Sequence, residues 1–254
     1  MKYRKFGKTG SDVSALGFGC MRLPVLKDGT DRIDESEAIK MIQYAIDNGV
    51  NYIDTAYPYH NGDSEPLVGK ALKDGYREKV KLATKLPVWL LKEYSDFNRF
   101  LDEQLQRLDT EYLDLYLLHA LDKGRWDKLL KLDVFKAIEE YKASGKVKYM
   151  GFSFHDDINT FKRIIDAYDW DFCQIQLNYM DEYNQAGLEG LKYAASKGIA
   201  VVIMEPLRGG KLAQKPVDSI QKLWDTAEVQ RSPAEWALRW VWNHPEASVV
   251  LSGM

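Results

Sequence analysis

Four side chains in this sequence could together move a proton at a carbonyl oxygen: the carboxylate of Asp54, the phenol of Tyr59, the amine of Lys85 and the imidazole of His119. Hydride arriving at a carbonyl carbon leaves negative charge growing on oxygen, and a positioned acid must neutralise it. A phenol has an ordinary pKa near about 10, and bringing it two units nearer neutrality takes about 2.7 kcal/mol of preferential stabilisation of the phenolate. An ammonium at Lys85 can supply that, Asp54 can hold the ammonium charged, and His119 can donate to the same oxygen. Taken singly, each residue has a plainer reading. Asp54 could cap a helix, Lys85 could lie on the surface with its stem covering apolar neighbours, Tyr59 beside Pro58 and Asn61-Gly62 could be a loop aromatic, and His119 could be a core histidine.

What joins the four is the scaffold that the rest of the chain implies. Short apolar runs rich in branched or aromatic residues alternate with longer segments of helical period, which is the pattern of βαβ units around a parallel sheet. The runs are Leu16 to Phe18, Tyr52 to Ile53, Val80 to Ala83, Tyr112 to Leu118, Val147 to Phe152, Phe172 to Leu177, Ile199 to Met204 and Ser248 to Leu251. Eight strands in 254 residues predict an α/β fold, a single (β/α)8 TIM barrel. Tyr3 to Phe6 and Val13, around Thr9 and Gly10, predict a β-hairpin plugging one end. Between the strands, Asp34 with Glu37 reads as a capping box, and Ser232, Pro233 and Glu235 as the start of a helix burying Trp236, Trp240 and Val241. Glu205 to Arg231 reads as the longest irregular stretch. In such a barrel the strands' C-terminal ends carry the site, so Asp54, Tyr59, Lys85 and His119 are aimed into one volume.

Composition narrows the function classes. A net charge of -3 argues against a nucleic-acid partner, which needs a concentrated positive field. The basic stretch from Lys70 to Lys81, broken by Asp74, Gly75 and Glu78, reads as a solvated helix end. Cys20 and Cys173 are far apart and outline neither a disulfide framework nor a metal site, so a reducing, cytoplasmic setting is expected. Met1 to Gly10 carries no apolar stretch of the signal-peptide kind, and no run approaches the length of a membrane span, so no membrane partner is expected.

The segment Gly49-Val50-Asn51-Tyr52-Ile53-Asp54-Thr55-Ala56, followed by Tyr59, Glu65 and Gly69, resembles the aldo-keto reductase signature, and Lys85 and His119 follow as in that family's tetrad. The likeness extends from Gly17-Phe18-Gly19-Cys20-Met21 to Val249-Val250-Leu251-Ser252-Gly253. It implies Tyr59 as general acid, Lys85 and Asp54 as its tuners and His119 as orienter of a small-molecule carbonyl substrate. It also implies NADP(H), or alternatively NAD(H), bound in extended form without a Rossmann glycine loop. Gly19, Cys20 and Met21 match the segment meeting the nicotinamide ribose, with Asp54 nearby, and Ser153 and Gln174 match the carboxamide positions. Phe154 stands where the family has Asn, leaving His155 as a substitute contact. The family's stacking aromatic falls near Met204, and Glu205, Pro206, Leu207 and Ser252 complete the expected dinucleotide contacts.

Phrases such as Tyr57-Pro58-Tyr59-His60, Gly151-Phe152-Ser153-Phe154-His155 and Met204-Glu205-Pro206-Leu207-Arg208 resemble a prokaryotic subgroup that often carries a C-terminal ferredoxin-like iron-sulfur segment, whose cysteine ligands this chain lacks. The helix expected after the eighth strand is also missing, which leads to the expectation of a C-terminally truncated barrel. Trp89, Leu90, Tyr179 and Arg208 are the expected substrate wall. Two other readings compete: a catalytically weak redox-sensing module that binds NADP(H), and a metal-dependent hydrolase using His60, His119 and His155.

Overall fold

The computed structural model describes residues 1–253. Its strands are β1 (Tyr3–Lys5), β2 (Asp12–Ser14), β3 (Leu16–Gly19), β4 (Tyr52–Asp54), β5 (Lys81–Leu86), β6 (Leu113–Leu121), β7 (Val147–Phe154), β8 (Phe172–Gln176), β9 (Ala200–Met204) and β10 (Ala247–Ser252). The helices are α1 (Glu35–Asp47), α2 (Ser64–Ala71), α3 (Ser95–Arg107), α4 (Lys123–Lys131), α5 (Val134–Ala143), α6 (Ile158–Asp166), α7 (Gly187–Ser196), α8 (Asp218–Trp224) and α9 (Pro233–Trp242). Strands β3 to β10 pair in parallel, each with its neighbour in the chain, and β10 returns to β3 to close the barrel. Among the described residues no helix is long and apolar enough to cross a membrane.

The pleat sorts each strand into two layers. Tyr52, Ala83, Leu115, Leu117, Phe172, Val202 and Val249 fill the barrel interior, whereas Ile53, Leu82, Tyr116, Phe152, Cys173 and Ile203 pack outward under the helices. The β1–β2 hairpin closes the N-terminal end by inserting Phe6, fully buried against the rings of Tyr52 and Phe172. With that end shut, the open mouth lies at the strands' C-terminal ends.

Several expected boundaries move. β5 and β6 run past Ala83 and Leu118, so Lys85 and His119 sit within strands rather than just beyond them. Asp34 caps α1 by accepting from Glu37 N–H, but its own N–H goes to Pro24 O, so the reciprocal half of the capping box does not form. Glu205 to Arg231 contains α8 and a 3-10 turn at Lys211–Ala213. Ser232 caps α9 and Val241 is buried as expected, but the other fully buried residue of that helix is Ala237. The i, i+4 pair of small and branched residues meets the barrel, and Trp236 and Trp240 lie to one side, where Trp236 stacks on Trp224. Those tryptophans line a groove of about 1020 Å³ with Tyr3, Leu16, Tyr179 and Leu223.

Candidate active site

The register of the barrel brings the first three residues together. β4 is short and ends at Asp54, which lies level with Ala83 of β5; the next peptide, Thr55 N–H, still reaches Ala83 O at 2.9 Å. The chain then turns, with Tyr59 N–H bonded to Ala56 O, and reverses through His60 and Asn61, both with left-handed φ, and Gly62. His60 is held there because its Nε2 accepts Leu23 N–H at 3.0 Å. Left-handed residues are costly away from glycine and asparagine, and such strain collects where a side chain must be aimed. Here it folds Tyr59 back over Lys85.

Lys85 Nζ donates to Asp54 Oδ1 at 2.5 Å, to Thr55 O at 2.8 Å and to Tyr59 Oη at 3.0 Å. Lys85 is 1% exposed, Asp54 0% and Tyr59 8%. Burial alone would pull the ammonium pKa down, but the charge of Asp54, the coupling to Tyr59 and the two hydrogen bonds more than offset it, so Lys85 stays above its ordinary value and charged. Burial pushes the Asp54 carboxyl up, opposed by Lys85. The Tyr59 phenol is likewise raised by burial, with Lys85 working against the rise. At neutral pH it therefore holds its proton and is poised as an acid. In this structure Lys85 moderates the phenol without bringing it below its ordinary pKa.

His119 continues the inward-facing series of Leu115 and Leu117 on β6, and the sheet is disturbed at the residue after it. The β6–β7 register shifts between Leu118 and Leu121, and Ala120 has a φ of 54°. The bulge adds a residue to β6 beside His119 and bends the strand there. Its backbone is pinned by Ser153 Oγ, which accepts Ala120 N–H at 2.7 Å, and by Arg125, which donates to Ala120 O. The imidazole stands edge-on to Tyr59 at 6.0 Å between ring centroids and 5.2 Å from Trp89. Burial, then the nearby charges of Lys85, His155 and Arg125, hold its pKa well below the usual histidine range. The ring is neutral, and its buried Nδ1 has no hydrogen-bond partner.

The other predicted residues form the opposite arc of the mouth. Gly19 and Cys20 end β3 against β4, with Cys20 N–H bonded to Asp54 O; Met21 is exposed above them. Ser252 is exposed at the end of β10, in register with Phe18. Gly253 packs so closely that a Cβ there would lie 2.5 Å from Gly19 O. Beyond Met204, Glu205 takes a left-handed φ and pairs with Arg22 at 3.2 Å, and Pro206 and Leu207 follow it. Gln174 is fully buried between Ser153 and Met204. Its Nε2 meets only the Met204 sulfur at 3.8 Å and its Oε1 has no partner. An amide left with so little company in a dry interior costs free energy unless a ligand completes it. The unpartnered Gln174 amide is a group that a carboxamide-bearing dinucleotide would complete, and Gly19, Cys20, Met21, Ser153, Met204, Glu205, Pro206, Leu207 and Ser252 lie on the same arc.

Phe154 does not face the mouth. It packs outward against Phe152 and Phe161, and His155 is exposed above Leu121, to whose carbonyl its N–H is bonded. Of the expected substrate wall, Trp89 stands beside His119 and Leu90 next to it, whereas Arg208 is held by Asp181 at 3.3 Å. Tyr179 lines the groove beside α8 and α9, which none of the four central residues lines. Among the described residues no three His, Cys, Asp or Glu side chains converge as metal ligands. Sequence reasoning missed the Arg125 contact on Ala120 and the buried Gln104, and named Glu65 only as part of the signature, without its partner. For Gln104 there was a signal: it sits in helical phase with Phe97, Leu101 and Leu108 on the apolar face of α3.

The model of the Aldo/keto reductase family matches residues 15–254. A probable aldo-keto reductase of Glycine max is 39% identical over 157 residues, covering 59% of this chain and 44% of that protein, so the match spans less than half of the relative's length. An uncharacterized oxidoreductase of Bacillus subtilis is 32% identical over 244 residues, covering 86% of this chain and 70% of the relative. Among solved structures, the holo form of an aldo-keto reductase from Bacillus halodurans superposes with a TM-score of 0.82 at 28% identity, over 99% of this chain and 86% of that one.

Proposed function

The chain belongs to the aldo/keto reductase family, and from that premise we propose that it works as one barrel domain reducing an aldehyde or ketone to the alcohol, with NADP(H) as the favoured dinucleotide. The observation that carries the proposal is the Lys85 ammonium, buried and shared between Asp54 and the Tyr59 hydroxyl at the open end of the barrel. When bound, the dihydronicotinamide supplies a hydride, that is, both electrons of the reduction, to the carbonyl carbon. Tyr59 gives its proton to the carbonyl oxygen as negative charge grows there, and Lys85 stabilises the phenolate left behind. Asp54 keeps Lys85 charged and placed. His119, neutral, donates to the carbonyl oxygen and sets which face of the carbon is presented. Trp89 closes the apolar side of the mouth and excludes water from the growing charge.

The test is a screen of aldehydes, ketones and quinones against NADPH and NADH, following loss of dihydronicotinamide absorbance, with dinucleotide affinity measured separately by fluorescence. Turnover that requires Tyr59 supports the reading. Tight dinucleotide binding without turnover of any carbonyl would favour a sensing role instead.

A further inference from the structure

We propose that Gln104, on α3 and outside the four central residues, is the positioning residue that sets where Lys85 stands. β4 ends at Asp54, so from Thr84 onward β5 has no strand on that side. Successive residues of a strand point their peptide groups to alternate sides. Ala83 O reaches Thr55 N–H, and two residues on, Lys85 O points toward the same open edge. Gln104 takes the place of the absent strand: its Nε2 donates to Lys85 O at 3.1 Å.

The amide that does this cannot turn freely. Gln104 is fully buried. Its Nε2 also donates to Glu65 Oε1 at 2.5 Å and lies 3.2 Å from Thr84 Oγ1, and its Oε1 accepts the Tyr116 hydroxyl at 2.7 Å. Burial raises the Tyr116 phenol well above its ordinary pKa, so that hydroxyl keeps its proton and donates. Glu65 is tied in turn, accepting Thr84 Oγ1–H at 2.6 Å with Arg107 at 3.6 Å from its other oxygen. Gly69 lets α2 approach α3 closely enough for this, because a Cβ there would lie 2.7 Å from Leu108 O. Donor and acceptor ends of Gln104 are therefore each assigned, and the carbonyl of the residue bearing the ammonium is fixed from behind. With both ends of the Gln104 amide engaged, a buried network of this kind specifies one geometry, and Glu65 Oε2 is left with only the Arg107 charge at 3.6 Å.

The reasoning predicts that Gln104→Met, close in volume but unable to donate or accept in this way, lets the Lys85 segment drift. The effect on rate rests on the proposed reductase reading, whereas the effect on geometry does not, and the two are measured apart. In a crystal structure of the variant, Lys85 Nζ should move from 3.0 Å to beyond about 3.5 Å from Tyr59 Oη. In kinetics kcat should fall at least about tenfold and the pH profile of alcohol oxidation should move upward, while dinucleotide affinity stays within about twofold. Leu129→Ala, a buried change on α4, lowers stability without touching the network and should keep the wild-type profile. If Gln104→Met does not fold, Tyr116→Phe, which removes one hydroxyl from the network, is judged by the same measures. An unmoved Lys85 with an unmoved pH profile in the folded variant overturns the inference. Should the wild-type chain bind dinucleotide and reduce no carbonyl, the reductase reading fails, and the Lys85 to Tyr59 distance alone decides the role of Gln104.

Discussion

Lys85→Met keeps most of the volume of a side chain that is 1% exposed and removes the ammonium touching Asp54, Thr55 and Tyr59. At 3.0 Å that ammonium stabilises a phenolate by about 5.5 kcal/mol at an effective dielectric of about 20, and the adjacent Asp54 carboxylate takes part of this back. A net upward move of the Tyr59 pKa is expected, so residual alcohol oxidation, which needs the phenolate, moves to higher pH. Stability carries a second signature. Asp54, fully buried, loses its partner, which costs about 3–5 kcal/mol, or about 10 °C in melting temperature for a chain of this size. The folded-state pKa of Asp54 is raised by burial, and more so without Lys85, so the folded state takes up the proton more readily than the unfolded chain. The penalty is therefore absent below about pH 4 and grows as pH rises through the raised folded value. Adding Asp54→Asn should recover most of the lost stability and none of the activity. The assays are pH-resolved alcohol oxidation and thermal melts at acid and neutral pH. A wild-type pH profile with an unchanged, pH-independent melting temperature would refute the assignment of Lys85.

Tyr59→Phe should lower carbonyl reduction by at least about 10²-fold while leaving dinucleotide affinity, read by fluorescence titration, nearly unchanged. Because burial depresses the His119 pKa, the imidazole is already neutral well below pH 6.5; kcat/KM should show no inflection near that pH, and an inflection abolished by His119→Gln would contradict the neutral assignment. Gln174→Met removes a buried amide oxygen that has no partner, so the ligand-free protein should melt higher by about 1–3 kcal/mol of added stability while NADPH affinity drops about tenfold; unaltered affinity would remove Gln174 from the dinucleotide site.

The eight apolar runs, their helical spacers and the Phe6 hairpin were readable from the chain, because periodicity, caps and turn residues are local properties. The four central residues were readable too, since barrel geometry converts a place at a strand's end into a place at the mouth. Tertiary structure decided what pattern cannot encode. Whether the Tyr59 phenol ends above or below its ordinary pKa depends on how fully it is buried against how near Lys85 comes, and burial prevails here. Alternation with Leu115 and Leu117 already points His119 inward, but the bulge at Ala120 beside it leaves no mark in that pattern, because its N–H is taken by a hydroxyl from the neighbouring strand, that of Ser153. Trp236 and Trp240 read as core along with Val241, yet the orientation of α9 on the barrel fully buries Ala237 beside Val241 and leaves the two tryptophans partly exposed. Gln104 is a polar residue on an apolar helix face, and only the early end of β4 shows which carbonyl it satisfies. In each case the sequence determines which groups are present, and only the packed fold determines the distance and the dielectric through which they act.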